Sequence, residues 1–143
     1  MTSSVFPDVN LWLALSSPDH VQAPVAWTWY TTLPSGTSIL FCRHTQMGLL
    51  RLLTTQAAMN QLALNQLEAW QVYDRWINSE GIYLSPEPHA MEVGFRARTQ
   101  SHHCSPKEWA DAYLAAFAEA AGLTLVTFDR ALAGKAKGAV LLS

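Results

Sequence analysis

SPKEWADAYLAAFAEAAGLTLVTFDRAL, residues 105–132, sets out a helix, its stop and a strand in one continuous run. Ser105 can cap the helix, Pro106 suits its first position, and Glu108 stands three residues after the cap as a capping-box partner. The alanine-rich stretch runs to Gly122, the residue type that ends helices in the left-handed conformation. LTLVTF then reads as a short apolar strand with Asp129 just past it.

The same alternation continues outward from this stretch. Strands are expected at Ser4 to Asp8, Ser38 to Cys42, Gly81 to Leu84, Leu123 to Thr127 and Ala139 to Leu142. Between them lie helical patterns. Asn10 to Leu15 gives one or two turns, and Asp19 to Leu33 places Trp27 and Tyr30 at i, i+3. His44 to Leu53 carries Met47, Leu50 and Leu53 on one stripe. Asn65 to Ile77 starts on an N-cap asparagine and carries Leu67, Trp70 and Trp76, while Pro86 to Arg98 is a weaker helix. Short apolar runs separated by helices are the pattern of an α/β fold with a parallel sheet. No repeat, low-complexity tract or linker divides the 143 residues, so one domain over 1–143 is expected.

Half the residues are apolar and 14% are charged, which favours a globular chain over a disordered one. The net charge of -2 gives no electrostatic case for general nucleic-acid binding. Of the two cysteines, Cys42 closes the run SILFC and reads as a small buried residue. The chain opens without a basic segment followed by a long apolar one, and no apolar stretch approaches the ~20 residues that span a bilayer. Cytoplasmic residence without membrane association is the expectation.

Three aspartates carry the chemistry. Asp8 emerges at a strand-to-helix junction, where a helix N-cap is the alternative reading, and Asn10 beside it can orient Asp8 or a phosphate, or cap the same helix. Asp111 lies inside the alanine-rich helix with Glu108 at i-3, and two acids at that spacing repel unless a cation sits between them. Thr127 precedes Asp129 by two and points to the same side of the strand, where its hydroxyl can hold a carboxylate or form a local turn. Carboxylates gathered at the carboxyl ends of parallel strands stay ionised together only with a cation, and oxygen ligands favour Mg2+ or Mn2+. A divalent-metal enzyme acting on phosphate follows. No nucleophile elbow, dinucleotide fingerprint or P-loop occurs. The adjacent His102, His103 and Cys104 lack zinc-ligand spacing and read as a polar loop.

FPDVNLWLAL (6–15), FCRHTQMGLLRLLT (41–54) and the run 105–132 together resemble the PIN-domain ribonucleases, most closely the toxin subunits of bacterial VapBC-type toxin-antitoxin pairs. The resemblance covers nearly the whole chain. It implies a three-layer α/β/α PIN-like domain with a mainly parallel central sheet, and it identifies Asp8, Asp111 and Asp129 with the three aspartates of the family's Mg2+ site. It further implies an endoribonuclease acting on RNA, a homodimer, and a cognate VapB-like antitoxin that binds across a groove and blocks the site. Trp27, Trp29, Leu49, Leu50, Trp70 and Trp76 are candidates for those surfaces.

One departure from the family pattern stands out. Many members carry a glutamate early in the helix after the second strand, whereas this chain has His44, Thr45 and Gln46, with no carboxylate between Ser38 and Glu68. The inferred substitutes are Gln46, whose neutral carbonyl can support a metal-bound water, and Glu108, which can supply the missing charge. The rival reading is a PIN-like module, weakened by loss of the fourth acid, that binds RNA or a protein without cutting.

Overall fold

The computed structural model describes residues 3–143. Its strands are β1 (Ser4–Pro7), β2 (Ser38–Phe41), β3 (Ile82–Leu84), β4 (Thr124–Thr127) and β5 (Val140–Leu141), paired in parallel throughout in the order β3-β2-β1-β4-β5. Helices α1 (Val9–Ser16) and α2 (Ala23–Thr31) lead from β1 to β2, and α3 (Arg43–Leu53) and α4 (Gln66–Ile77) lead from β2 to β3. Then α5 (Met91–Ala97) and α6 (Glu108–Ala121) lead to β4, and the short α7 (Arg130–Ala133) leads to β5.

Side-chain alternation along the strands divides the core into two layers. Val5, Ile39, Phe41, Ile82 and Val126 face α1 to α4, with Trp12 stacked on Phe41 at 3.8 Å between ring centroids. Phe6 and Leu125 face α5 and α6 on the other side, where Phe6 stacks on Phe117 at 5.1 Å. The alanines of α6 serve this face: Ala112, Ala115, Ala116 and Ala118 are all buried, and their small side chains let the helix lie close to the sheet. Gly122 ends α6 with φ 69° and ψ 35°, and the next N–H, of Leu123, returns to the Ala118 carbonyl at 2.8 Å.

Several expectations shift. The capping box at Ser105 does not form: Ser105 has φ 38°, its carbonyl accepts the Glu108 N–H at 3.0 Å in a tight turn, and α6 begins at Glu108 after Lys107. Ser105 is thus spent on the turn, and Glu108 sits exposed in the first turn of α6. The Pro86 to Arg98 helix contracts to α5, because residues preceding Pro86 and Pro88 are disfavoured in the helical region. The Asp19 to Leu33 helix contracts to α2, starting beside Pro24 after turns that include the Gln22 N–H on His20 Nδ1 at 3.0 Å. On α3 Leu53 is buried as expected and Leu50 is partly buried, but Gln46 and Leu49 face the core in place of Met47, which is exposed. Asn65 does cap α4, accepting the Glu68 N–H at 2.8 Å while Glu68 accepts its own N–H at 3.0 Å.

Helix α1 leaves β1 directly beneath the candidate site, and its seat on α3 is set by Gly48. A Cβ at Gly48 would lie 2.6 Å from Val9 Cγ2 and 3.0 Å from Cγ1. Valine is stiff about χ1 and has no long stem to swing aside. Gly48→Ala is therefore expected to lower stability by about 1–3 kcal/mol in denaturant unfolding, and adding Val9→Ala should recover most of it. Equal midpoints for Gly48→Ala and the parent chain would show that α1 and α3 are not in that close contact.

Candidate active site

The strand order puts a topological switch at β1: the chain moves from β1 to β2 and β3 on one side, then returns to build β4 and β5 on the other. In open parallel sheets the crevice outside the carboxyl ends of the strands at such a switch is where ligands bind. Pro7 pairs with Val126 in register, and the Asp8 N–H donates to the Val126 carbonyl at 3.0 Å, so Asp8 and Thr127 leave their strands side by side.

Asp8 is 5% exposed, an unusual degree of burial for an acid. Its Oδ1 caps α1 by accepting the Leu11 N–H at 3.0 Å, and its Oδ2 accepts the hydroxyl hydrogen of Thr127. Capping and site-building are thus both performed by one carboxylate, one oxygen each. Burial pushes the Asp8 carboxyl above its ordinary value, the Thr127 and Leu11 hydrogen bonds oppose this, and the negative charges of Asp129 and Asp111 push it up again. The three acids feel one another.

Thr127 is fully buried, and its Oγ1 also accepts the Asp129 N–H at 2.9 Å. One hydroxyl therefore holds Asp8 and makes the local turn that turns the chain into Asp129. Asp129 is exposed and caps α7, its Oδ1 accepting the N–H groups of Ala131 at 2.8 Å and Leu132 at 3.2 Å. Asp111, in the first turn of α6, is half-buried, and its Oδ2 accepts from Lys135 Nζ at 3.0 Å. Lys135 follows the carboxyl end of α7, so α7 and its flanks bring both Asp129 and a counter-cation for Asp111.

The supporting residues expected from the sequence divide. Thr127 is in the site. Asn10 is exposed and lines a groove with Val9, His44, Met47, Gly48 and Arg51, while Asp8 is oriented by Leu11 and Thr127 instead. Gln46 is buried, but its carbonyl accepts from Arg43 Nη1 at 2.6 Å, and its amide faces the buried Tyr73 hydroxyl. That oxygen already has a partner. Glu108 stays exposed beside His103, Cys104 and Trp109. Lys135 is the residue that sequence reasoning missed as a site member; it was one basic residue among several, and nothing in its local pattern points at Asp111. His44 stands on the groove rim with its ring 5.6 Å from that of Tyr113, and partial burial and the Arg51 charge hold its imidazole below the usual histidine range.

The donor set suits a hard divalent ion. It is all oxygen, and Asp8 is destabilised as an anion by burial and by two neighbouring like charges, which a cation would relieve. Among the described residues no three His, Cys, Asp or Glu side chains stand close enough to clasp an ion as they lie. The Lys135 pairing of Asp111 is part of that arrangement.

Comparison with known proteins identifies the family. The family model described as PIN domain matches residues 5–138. The chain is 40% identical over 128 residues to ribonuclease VapC41 of two Mycobacterium tuberculosis strains, covering 87% of this chain and 88% of the relative. Among solved structures, M. tuberculosis VapC20, a Sarcin-Ricin loop cleaving toxin, matches with TM-score 0.64 and 15% identity over 91% of this chain and 93% of that one. PAE2754 from Pyrobaculum aerophilum matches with TM-score 0.60 and 21% identity over 98% and 91%. FitAcB from Neisseria gonorrhoeae matches with TM-score 0.54 and 22% identity over 99% and 96%.

The raised Asp8 carboxyl has a consequence for stability. An acid whose folded value lies above its unfolded one stabilises the fold while protonated, and that contribution is lost as pH rises from the ordinary value near 3.8 through the raised one. Asparagine keeps an oxygen for Leu11 and carries no charge. In metal-free buffer, Asp8→Asn is expected to gain stability relative to the parent as pH rises across that window, read by denaturant midpoints at stepped pH. A difference that stays constant with pH would show that Asp8 is not strained as an anion.

Proposed function

The chain belongs to the PIN-domain family and is a homologue of VapC ribonucleases, and on that premise we propose that it is a Mg2+-dependent endoribonuclease, the toxin of a type II toxin-antitoxin system. The observation that carries the reading is the junction at the β1 and β4 ends, where Thr127 fixes Asp8 beside Asp129 and α6 contributes Asp111. RNA is the substrate and its phosphodiester bonds are hydrolysed. Asp8, Asp111 and Asp129 would hold Mg2+, with Mn2+ as the alternative of the same coordination chemistry. When bound, the ion neutralises phosphate charge and lowers the pKa of the attacking water.

The chain's own residues prepare that site. Leu11 N–H and the Thr127 hydroxyl lock the Asp8 rotamer, so its carboxylate is placed before any ligand arrives. Asp129 is fixed by its two capping bonds, which occupy Oδ1 and leave Oδ2 without a partner among the described residues. General-base duty is assigned to none of them, since a carboxylate engaged with metal is a poor base.

The groove lined by Asn10, His44 and Arg51 opens beside α1, and Arg51 offers the RNA backbone a cation there. Trp27 and Trp70, 40% and 45% exposed, are the members of the expected apolar surface that remain available for a second copy and a VapB-like antitoxin. Leu49 is core, and Trp29, Leu50 and Trp76 are partly buried against it. A single nuclease domain over 1–143, acting in the cytoplasm as a homodimer, completes the reading. No helix among the described residues is long and apolar enough to cross a membrane.

The pairing of Asp111 with Lys135 favours a second reading, a module that binds RNA or a protein without cutting. Cleavage separates the two. Purified chain with Mg2+ is expected to cut RNA and its expression to arrest growth, while Asp8→Asn, Asp111→Asn and Asp129→Asn each reduce cleavage roughly a hundredfold or more, the scale of losing one charge-stabilising group. Full cleavage by all three soluble variants would remove the metal-nuclease mechanism.

Arg51→Ala tests the groove. It should weaken RNA binding across unrelated sequences and flatten the salt dependence of log K by about one phosphate contact. An unchanged salt slope would place the RNA elsewhere.

A further inference from the structure

We infer that Lys135 is a resident counter-cation of the acid site: in the metal-free protein its ammonium holds Asp111, and a divalent ion binds by taking Asp111 from it. The inference rests on the metal-site reading above and names a positioning residue within it.

Three observations carry it. Lys135 Nζ lies 3.0 Å from Asp111 Oδ2, with side-chain exposures of 34% and 23%, so the pair is neither freely solvated nor closed in. Second, Asp8 and the Asp129 turn are joined through the Thr127 hydroxyl, which donates to Asp8 and accepts the Asp129 N–H at 2.9 Å, and Asp111 and Asp129 both act on the Asp8 carboxyl as like charges. Third, Asp111 is the one of the three aspartates that forms an ion pair among the described residues. A site whose acids repel is stabilised by whatever cation it can reach, and Lys135 reaches it from the end of α7.

Lys135 is suited to yield. Its main-chain N–H is anchored on the Leu132 carbonyl at 3.0 Å, so the backbone stays while the stem moves. An ammonium on a flexible four-carbon stem makes a point contact and is readily rehydrated, unlike a guanidinium locked in a planar fork. A divalent ion bound by three carboxylates outcompetes a single charge held by one. The remaining ion pairs of the described residues, Arg96 with Glu92 and Arg98 with Glu119, involve none of these acids, so no other ion pair competes for Asp111.

Lys137 supplies the control. It carries the same charge two residues on and acts on Glu119 instead. If displacement governs binding, removing Lys135 tightens metal affinity far more than removing Lys137 does. If net charge governs it, the two are equal.

The test is calorimetric titration of Mg2+ and of Mn2+ into the full chain, its Lys135→Met and Lys135→Gln variants, Lys135→Arg, and Lys137→Met, with the thermal midpoint of each metal-free protein measured alongside. Loss of Lys135 is expected to lower Kd roughly five- to tenfold, the size of a half-exposed ion pair no longer opposing a divalent ion. Lys135→Arg should leave metal binding as weak as the parent or weaker, and Lys137→Met should shift Kd by less than about twofold. The metal-free midpoint should fall in the Lys135→Met and Lys135→Gln variants and be regained on adding metal. Either neutral variant suffices if the other fails to fold. An unchanged or weaker Kd in the neutral variants, or an equal gain in Lys137→Met, overturns the inference while leaving the metal site standing. Absence of metal binding in every protein overturns both the inference and the metal-site reading.

Discussion

The hydroxyl of Thr127 is the point on which the site turns. It donates to Asp8 and accepts from the backbone of Asp129, joining the ends of two strands whose residues are 119 positions apart. Nothing local would bring those groups together. They meet because β4 inserts beside β1, with Pro7 opposite Val126, and because the Asp8 N–H continues the ladder onto the Val126 carbonyl. A parallel pair of this kind requires a crossover, and here the crossover contains β2, β3 and α1 to α6. The site therefore forms only when nearly the whole chain has folded.

Both strand-end aspartates of the candidate site are helix caps, and the capping suits the proposed role. A capping carboxylate is fixed in direction by the N–H groups it accepts, and a helix amino terminus tolerates negative charge. That tolerance is partial for Asp8. Its carboxyl is still pushed upward, since burial and two like charges outweigh the Leu11 and Thr127 bonds. The fold holds an acid that is better off with a cation nearby, which is strain of the electrostatic kind expected at functional positions.

How much of this was legible follows from the range of the interaction concerned. All five strands and the main helices were readable, because periodicity and stop residues such as Gly122 are local. Asn65 and Asp8 were readable as caps for the same reason. The start of α6 was misplaced since Ser105 satisfies a helix N–H with its backbone carbonyl inside a turn, and that choice depends on a backbone angle which the residue type does not specify. On α3 Leu53 was placed rightly and Met47 wrongly, because Leu49 and Leu50 are equally apolar and only the packing of α3 decides which face turns inward. Of the candidate site residues, Asp8, Asp129 and Thr127 were visible as strand-end residues. Lys135 was not, since its partner is 24 positions away and a lone lysine carries no pattern.

The missing fourth acid takes on a physical meaning once α3 is placed. Its first turn presents Arg43 and His44 to the outside and turns Thr45 and Gln46 inward, with the Gln46 carbonyl held by Arg43 and Cys42 N–H held by Thr45 at 2.9 Å. A glutamate at Gln46 would enter the same buried space beside Tyr73. There Arg43, which now donates to the Gln46 carbonyl, would pair with it. The segment is thus committed to internal polar packing, and the charge that α3 presents to the groove is the guanidinium of Arg51.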